Sequence, residues 1–235
     1  MEQQNVAIVT GGSQGIGAGV VEGYRKLGYA VVATSRTIAP VDDTDLVTVQ
    51  GDIGDPAVAE RIVATAIERF GRIDTLVNNA GIFIAKPFTD YTQDDYAAML
   101  QTNLGGFFQL TRLVVPHMVE QGSGHIVSIT TTLVEQASSS IPSVLASITK
   151  GGIAAATKSL AIEYAGRGIR VNAVSPGIIR TPLQTEEAYR ALAPLHPLGR
   201  VGEVDEVVHG VLYLEQASFV TGEFLHVDGG QSAGR

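Results

Sequence analysis

A glycine-rich segment near the N-terminus carries the clearest chemical signal in the sequence. The apolar run Val6–Thr10 leads into a turn with the spacing Gly-x-x-x-Gly-x-Gly, and a stretch with helical periodicity follows. The residues of this turn are Gly11, Gly12, Ser13, Gln14, Gly15, Ile16 and Gly17. Glycines let the backbone approach a pyrophosphate closely, and a helix N-terminus offers unpaired N–H groups to phosphates. The segment therefore predicts a dinucleotide-binding turn, with a plain strand-to-helix turn as the alternative.

The end of the second apolar run indicates which dinucleotide would bind. A carboxylate at this point accepts hydrogen bonds from the 2′-hydroxyl of the adenosine ribose, whereas an arginine accommodates a 2′-phosphate. The sequence here is Thr34, Ser35 and Arg36, with no acidic residue. Because a guanidinium group suits a phosphate, we expect NADP(H) to be preferred over NAD(H). An ordinary solvated charge in a loop is the alternative for Arg36.

Apolar runs alternate with helical segments along the whole chain. Six runs are continuously apolar, as expected for parallel strands buried on both faces: Val6–Thr10, Ala30–Thr34, Thr75–Asn78, His125–Thr130, Arg170–Val174 and Glu223–Val227. Signals for helix starts lie between them, at Asp55-Pro56, Thr92–Asp95 and Glu203–Glu206. No linker or repeat interrupts the alternation. The pattern predicts one dinucleotide-binding domain over residues 1–235, an α/β fold with a Rossmann-type doubly wound parallel sheet.

Composition and charge exclude several classes of protein. The 235 residues include 16 Lys+Arg and 24 Asp+Glu, for a net charge of −8, so the surface as a whole repels a nucleic-acid backbone. The absence of cysteine excludes disulfides and cysteine-bound metals, and the scattered histidines lack ligand spacing. No apolar run reaches the ~20 residues of a membrane span. We expect a soluble, cytoplasmic protein that binds a small molecule, with no metal, nucleic acid or membrane as partner.

These features, together with later ones, resemble the short-chain dehydrogenase/reductase family. The matching features follow one another in the family's order from Val6 to Gly230. After the glycine turn they are Asp52, Asn78-Asn79-Ala80-Gly81, Asn103 in Thr102-Asn103-Leu104, Ser175-Pro176-Gly177 with Thr181, Thr221-Gly222 and Val227-Asp228-Gly229-Gly230. Each motif alone is common, but the ordered set is specific. The resemblance implies nicotinamide-dependent interconversion of a carbonyl and an alcohol.

The resemblance also implies roles for residues around the cofactor. Beyond the glycine turn, it places the following residues against the dinucleotide: Ser35, Arg36, Asp52, Ile53, Asn79, Ala80, Gly81, Lys150, Pro176, Gly177, Ile179 and Thr181. Asp52 would contact the adenine, and the residues from Pro176 to Thr181 would hold the nicotinamide. For Asn79, an amide that joins turns structurally is the alternative. The family further implies a homotetramer or a homodimer.

Catalysis in the family uses an Asn, a Ser and a Tyr-x-x-x-Lys pair on one helix. Asn103 and Lys150 match this set, and Thr131 offers a hydroxyl where the serine is expected. Hydride addition to a carbonyl builds alkoxide charge, which a positioned acid neutralises. A phenol, with a pKa of about 10, needs a neighbouring cation for that task, and a lysine four residues later on a helix supplies one.

The sequence departs from the family at the tyrosine. Ala146 stands four residues before Lys150, and none of the seven tyrosines lies in 97–163. Losing one general acid costs roughly 10²–10⁴ in rate, so slow turnover remains compatible with a water held by Lys150 and Thr131 as proton donor. Three other side chains are weaker candidates for a direct replacement: Ser143, Ser147 and His196.

Two functions from different classes fit these residues. The first is an NADP(H)-dependent oxidoreductase with an altered proton donor, and the second is a cofactor-binding pseudoenzyme that regulates a partner or senses a ligand. A tyrosine-to-alanine substitution in a conventional member would also give Ala146, but the nearby departures Thr131, Leu145 and Gly151-Gly152 favour natural divergence. The stretch Ile178–Leu198 would cover the pocket, and its apolar residues suggest an apolar or mixed substrate.

Overall fold

A seven-stranded parallel sheet forms the centre of the computed structural model, which describes residues 4–182 and 184–234. Its strands are β1 (Val6–Thr10), β2 (Ala30–Ser35), β3 (Leu46–Gln50), β4 (Thr75–Asn78), β5 (Gly124–Ile129), β6 (Ile169–Pro176) and β7 (Phe224–Val227). They are ordered β3-β2-β1-β4-β5-β6-β7, and every neighbouring pair is parallel. Successive strands are added outward in one direction from β1 to β3, and in the opposite direction from β4 to β7. The sheet therefore has a switch point between β1 and β4, which is where ligands bind in doubly wound folds. The predicted fold class is confirmed.

Helices cover both faces of the sheet. They are α1 (Gly15–Lys26), α2 (Pro56–Phe70), α3 (Gln93–Met99), α4 (Gly106–Gln121), α5 (Val144–Tyr164), α6 (Glu186–Leu192) and α7 (Val204–Gln216). One apolar core joins α2, α4 and α5 to the sheet, and a second joins α1 and α7 to the opposite face. Because both faces are covered, β1 and β4 are buried along their whole length, which explains their continuously apolar sequences.

Local sequence signals set several helix boundaries. The Asp55 side chain accepts a hydrogen bond from the Ala57 N–H, Pro56 occupies the first turn of α2, and Gly71 ends the helix with a φ of 77°. Thr92 and Asp95 form the capping box predicted for α3. The strand β3 was not among the six apolar runs. It lies at the sheet edge, where three of its five residues are only partly buried, so its sequence lacks the continuous apolar pattern.

A buried carboxylate joins α7 to the amino-terminal ends of the central strands. Glu215 accepts hydrogen bonds from the hydroxyl groups of Tyr24 at 2.8 Å, Thr75 at 3.0 Å and Tyr29 at 3.1 Å. The Nδ1 atom of His125 lies 2.8 Å from the same carboxylate. Four donors from three elements and a loop therefore surround one acidic side chain, at the opposite end of the sheet from the switch-point ligand site.

The protonation states in this cluster follow from its hydrogen bonds. The Asn172 Nδ2 group faces Nε2 of His125 at 3.1 Å and also donates to the Val220 carbonyl, so Nε2 accepts and His125 is a neutral imidazole that donates from Nδ1. Burial likewise lowers the pKa of His125. Burial alone would raise the pKa of Glu215, but the hydrogen bonds from His125, Tyr24 and Thr75 lower it from 4.5 to about 2. Glu215 is therefore ionised and stabilises the fold in that form.

Replacing this carboxylate should destabilise the protein measurably. We expect Glu215→Gln to lower the free energy of unfolding by about 3 kcal/mol, because an amide presents an N–H group to donors. In thermal unfolding this corresponds to a fall in Tm of about 6–12 °C, whereas Glu187→Gln on the exposed face of α6 should change Tm little. The difference from the wild type should shrink as the pH falls from 4.5 towards about 2, since protonation removes the same charge. An unchanged Tm for Glu215→Gln would contradict the assignment.

Candidate functional site

A groove of about 500 Å³ opens at the carboxyl ends of the central strands. Its lining includes the glycine turn and most of the residues predicted to contact a dinucleotide, from Ser35 and Arg36 through Asp52 and Ile53 to Asn79, Ala80, Gly81 and Thr181. Six further residues line it that the sequence analysis missed: Thr34, Thr37, Gly51, Ile82, Thr102 and Pro182. Most of these residues lie at strand ends or next to predicted site residues in the sequence. This position in the sequence could have identified them.

The glycine turn shapes the floor of the groove. Gly11 and Gly15 adopt φ values of 68° and 54°, which only glycine adopts readily. A methyl group on Gly17 would lie 2.0 Å from the Gly11 carbonyl oxygen and 2.6 Å from Nδ2 of Asn79. Helix α1 begins at Gly15 without a side-chain cap or an acidic residue in its first turn, so its N–H groups face the groove unneutralised. A negatively charged phosphate fits this position.

Asn79 holds the glycine turn against the end of β4. Its Nδ2 group donates to the Thr10 carbonyl at 2.9 Å and to the Gly11 carbonyl at 3.4 Å. The Thr10 hydroxyl accepts from the backbone N–H groups of Asn79 and Ala80, each at 2.9 Å. The Asn79 side chain thus joins two turns, as in the structural alternative, while the residue also lines the groove.

The far end of the groove carries a cation and a carboxylate. Arg36 is exposed beyond β2, and within residues 4–182 and 184–234 its guanidinium makes no ion pair or hydrogen bond. The Ser35 hydroxyl accepts from the Thr37 N–H at 3.2 Å. Asp52 folds back to accept from the Gly54 N–H at 2.9 Å and keeps its second oxygen at the groove. This end therefore offers a free cation and hydroxyl groups to a ligand.

Lys150 lies at the other end, beside Gly81. Its Nζ donates to the Ile129 carbonyl at the end of β5 at 2.6 Å, and a methyl group on Gly81 would come within 3.3 Å of it. No carboxylate pairs with Lys150 among the described residues. Burial without a partner lowers the pKa of Lys150 from 10.5 to about 8. The ammonium group is thus a stronger acid than an exposed lysine.

Asn103 occupies a π-helical turn, Leu100–Gly105, between α3 and α4. Its Oδ1 accepts from the Ile82 N–H at 2.9 Å, and its Nδ2 donates to the Ile82 carbonyl and the Thr149 hydroxyl, both at 3.1 Å. Thr149 immediately precedes Lys150 on α5. The amide of Asn103 therefore ties the segment after β4 to the helix that carries the lysine.

Ala146 is buried in a small apolar cluster on the same helix. The cluster contains Met99 and Leu145, with the partly buried Ile82, Ile84 and Tyr91 packed against it. Apolar side chains from the segment after β4 therefore surround the helix position four residues before Lys150.

The hydroxyl groups near Lys150 differ in the hydrogen bonds that they make to the protein. Thr131 is partly exposed, and its Oγ1 makes only a long contact of 3.4 Å with the Leu133 N–H. Ser147 donates to the Leu133 carbonyl at 3.1 Å, and Ser143 donates to the Ile141 carbonyl at 3.0 Å. Of the three, Thr131 has the hydroxyl most available to a ligand.

The segment expected to hold the nicotinamide lies beside a second cavity of about 330 Å³. Gly177 and Ile179 line this cavity and not the main groove, together with His196, whereas Thr181 lines the main groove. Tyr189, in the stretch expected to cover the pocket, is buried and uses its hydroxyl to hold the backbone of Thr181. Leu183, from the same stretch, lies outside the described residues.

Two further properties bear on the chemistry of the site. Within the described ranges, no group of three or more His, Asp or Glu side chains is arranged to hold a metal ion. Over the same ranges, no helix is long and apolar enough to cross a membrane.

Known proteins of similar sequence and structure are reductases and dehydrogenases. The family model for enoyl-(acyl carrier protein) reductase matches residues 11–232. The granaticin polyketide synthase putative ketoacyl reductase 2 of Streptomyces violaceoruber is 38% identical over 240 residues, which cover 96% of this chain and 95% of that protein. The 3-oxoacyl-[acyl-carrier-protein] reductase FabG of Thermotoga maritima is 34% identical over 240 residues, or 96% of each chain.

Two solved structures with bound nicotinamide dinucleotides share the fold. ElxO with NADP bound superposes with a TM-score of 0.90 at 31% identity, over 99% of this chain and 100% of that one. The 3-ketoacyl-(acyl-carrier-protein) reductase of Brucella melitensis complexed with NADH gives a TM-score of 0.89 at 30% identity, over 97% and 98% of the two chains.

The glycine turn should tolerate no side chain at Gly17. We expect Gly17→Ala to lower Tm and to abolish the Tm increase that NADPH gives the wild type, because the methyl group would overlap the Gly11 carbonyl oxygen. Gly166→Ala is the matched control, since a methyl group at Gly166 meets nothing within 4 Å. An NADPH-induced shift in Gly17→Ala as large as in the wild type would show that this turn does not bind the dinucleotide.

Proposed function

Since this chain belongs to the short-chain dehydrogenase/reductase family of nicotinamide-dependent oxidoreductases, we propose that it interconverts a carbonyl and an alcohol with NADP(H) and without a catalytic tyrosine. The observation that carries this proposal is the position of Lys150. An ammonium group with a pKa of about 8 lies beside Gly81, at one end of a groove whose glycine turn and helix N-terminus suit a pyrophosphate. This position supports Lys150 as the proton donor beside the dinucleotide groove.

In this proposal Lys150 takes over the proton transfer. A bound nicotinamide supplies the hydride for the carbonyl carbon or accepts it in the reverse direction. As the carbonyl oxygen gains charge, Lys150 donates a proton to it, directly or through one water, and is itself reprotonated from solvent. Its pKa of about 8 keeps it largely protonated at neutral pH and yet makes it a better acid than an ordinary lysine.

Two other residues would position the reacting groups. Thr131, with a loosely held hydroxyl, would donate a hydrogen bond to the carbonyl oxygen of the substrate. Asn103 would act through the protein, because its amide already bonds Ile82 and Thr149 and so fixes the part of α5 that carries Lys150. In this proposal Lys150 contributes a proton, Thr131 contributes a hydrogen bond, and Asn103 fixes the helix that carries Lys150.

A second candidate function is a cofactor-binding protein without turnover. The observation that favours it is the apolar cluster around Ala146, which occupies the neighbourhood of the missing phenol. In that case Lys150 would serve to bind the ribose alone. Both functions require the dinucleotide, so only turnover distinguishes them.

The proposed preference for NADP(H) depends on Arg36. Its unpaired guanidinium and the hydroxyl groups of Ser35 and Thr37 lie where a 2′-phosphate would bind, and no acidic residue follows β2 directly. Solved structures of similar fold hold NADP, NADPH or NADH, so the preference must come from this chain's own residues.

We further propose that the protein is a homotetramer or a homodimer that acts in the cytoplasm on a small molecule. Large apolar side chains are exposed on two neighbouring elements, Phe108 on α4 and Ile148 and Ile162 on α5. Exposed apolar residues on adjacent helices are typical of surfaces that associate. The chain's net charge of −8 gives no support to a nucleic-acid partner.

Reversing the charge at Arg36 should reverse the cofactor preference. We expect the wild type to bind NADPH about tenfold or more tightly than NADH, and Arg36→Asp to bind NADH more tightly, because a carboxylate repels the 2′-phosphate and accepts from the 2′-hydroxyl. Titration of nicotinamide fluorescence gives both dissociation constants. Arg69→Asp, outside the groove, should leave the ratio unchanged. Equal or tighter binding of NADH by the wild type would refute the role of Arg36.

Turnover should depend on Lys150 and not on a tyrosine. We expect slow NADPH consumption at 340 nm with a panel of carbonyl compounds, beginning with 3-oxoacyl thioesters because two similar proteins are named as ketoacyl reductases. Lys150→Met should lower kcat by about 10²-fold or more. The rate of reduction by the wild type should fall as the pH rises through about 8, since the amine form has lost the proton.

Two variants complete this experiment. Lys158→Met, on the same helix, is the matched control and should retain activity. Ala146→Tyr tests the second function. If the wild type binds NADPH, shows no turnover on any carbonyl, and gains activity in Ala146→Tyr, the chain is a binding protein that has lost its proton donor.

A further inference from the structure

His196 contacts the backbone of the segment expected to hold the nicotinamide. It follows a short helical turn, Ala193–Leu195, and its side chain is buried. Its Nε2 accepts a hydrogen bond from the Ile178 N–H at 3.0 Å. The ring also packs directly on Gly177, since a methyl group there would lie 2.7 Å from Nε2. His196 therefore contacts two consecutive residues, Gly177 and Ile178.

The same backbone is fixed at four other points. The Gly177 N–H donates to the Val227 carbonyl at 3.1 Å, and the Arg180 N–H donates to the Gly202 carbonyl at 2.8 Å. The Ile178 carbonyl accepts from the Gly202 N–H at 2.8 Å. The Tyr189 hydroxyl accepts from the Thr181 N–H at 2.9 Å and donates to the Thr181 carbonyl at 2.7 Å. The chain between Tyr189 and Gly202 thus makes several of the hydrogen bonds that fix residues 177–181. Among these contacts, the one made by His196 involves a side chain that can titrate near neutral pH.

We propose that His196 is a positioning residue that fixes the backbone of Gly177 and Ile178 for the nicotinamide, and that protonation of His196 releases this backbone and weakens dinucleotide binding. The inference deepens the proposed function and rests on it, because it requires that the groove bind a nicotinamide dinucleotide. It also removes His196 from the candidates for the proton donor, since its Nε2 is already engaged and faces a backbone N–H.

The direction of the pH dependence follows from the hydrogen bond. Nε2 can accept from the Ile178 N–H only in the neutral imidazole that carries its proton on Nδ1. Protonation places a hydrogen on Nε2, so two N–H groups face each other and the bond is lost. Burial lowers the pKa of His196 below its usual 6.5, so the contact is intact at neutral pH and is lost as the pH falls below 6.5. The Ala193 backbone and the nearby Asp228 carboxylate favour the imidazolium and offset part of the effect of burial on the pKa of His196.

Four other charged or titratable side chains line the cavity next to His196: Arg200, Glu206, His226 and Asp228. Arg200 pairs with Glu206 at 2.6 Å. The Asp228 carboxylate accepts from the N–H groups of Gly230 and Ser232. His226 contacts Glu135 at 2.5 Å and lines the same cavity as His196, so it needs its own variant in any test.

The test compares dissociation constants for NADPH between pH 5 and 8, measured by nicotinamide fluorescence on the full chain. His196→Gln keeps an acceptor near the Ile178 N–H without a titrating ring, whereas His196→Leu removes the acceptor. We expect the wild type to lose affinity by about five- to tenfold below pH 6.5 from this contact. His196→Gln should lack this loss, and His196→Leu should bind weakly by a similar factor at every pH.

Two controls isolate the effect of His196. The 2′-phosphate of NADPH itself titrates near pH 6, which changes the dissociation constant of every variant alike. The contribution of His196 is therefore read as the difference in pH dependence between the wild type and His196→Gln. His226→Gln lines the same cavity and should keep the wild-type profile. Equal Tm values for the wild type and His196→Gln at pH 7.5 would exclude a general loss of folding.

The outcomes separate this inference from the proposed function. If the wild type binds NADPH and His196→Gln shows the same pH profile, the role of His196 is wrong while the function stands. A profile that is altered equally by His226→Gln would also overturn it. If the wild type binds neither NADPH nor NADH at any pH, the proposed function itself fails.

Discussion

The groove depends on the close approach of two backbone turns at the switch point of the sheet. The turn after β1 and the turn after β4 meet so closely that a methyl group on Gly11 or on Gly17 would lie 2.7 Å or 2.6 Å, respectively, from Nδ2 of Asn79. The Thr10 hydroxyl and the Asn79 amide then pair the backbone groups that this approach would otherwise leave unsatisfied. Since an unpaired buried backbone group costs about 1–3 kcal/mol, the turns and these two polar side chains require one another.

The sequence predicted the parts of the fold that local chemistry determines. Strand β1 has the predicted bounds because a fully buried strand must be apolar throughout, and helix α2 begins at the predicted Asp55-Pro56 signal because this cap acts locally. The edge strand β3 gave no comparable signal, since its residues are only partly buried. The groove-lining turn was recognisable for the same local reason, as its glycines lie within seven residues of one another.

Contacts between distant residues could not be predicted in this way. Glu215 accepts from Tyr24, which lies 191 residues away along the chain, and His196 accepts from Ile178, 18 residues away. Neither residue has a neighbouring motif that indicates its partner. A resemblance to a family identifies which residues recur at a site, but Asn103 shows that such a residue can use its side chain entirely on the protein. Which polar groups remain available to a ligand depends on the packed structure.

The same division explains how an alanine at position 146 is compatible with the fold of the chain's relatives. The hydrogen bonds of three side chains around the groove and its neighbouring cavity end on backbone groups: Asn79 on Thr10 and Gly11, Lys150 on Ile129, and His196 on Ile178. Ala146 contributes only apolar packing to this framework. None of these hydrogen bonds involves the side chain at position 146, so the framework does not require a phenol there. Lys150 lies beside Gly81 in this framework, and burial lowers the pKa of its ammonium group to about 8.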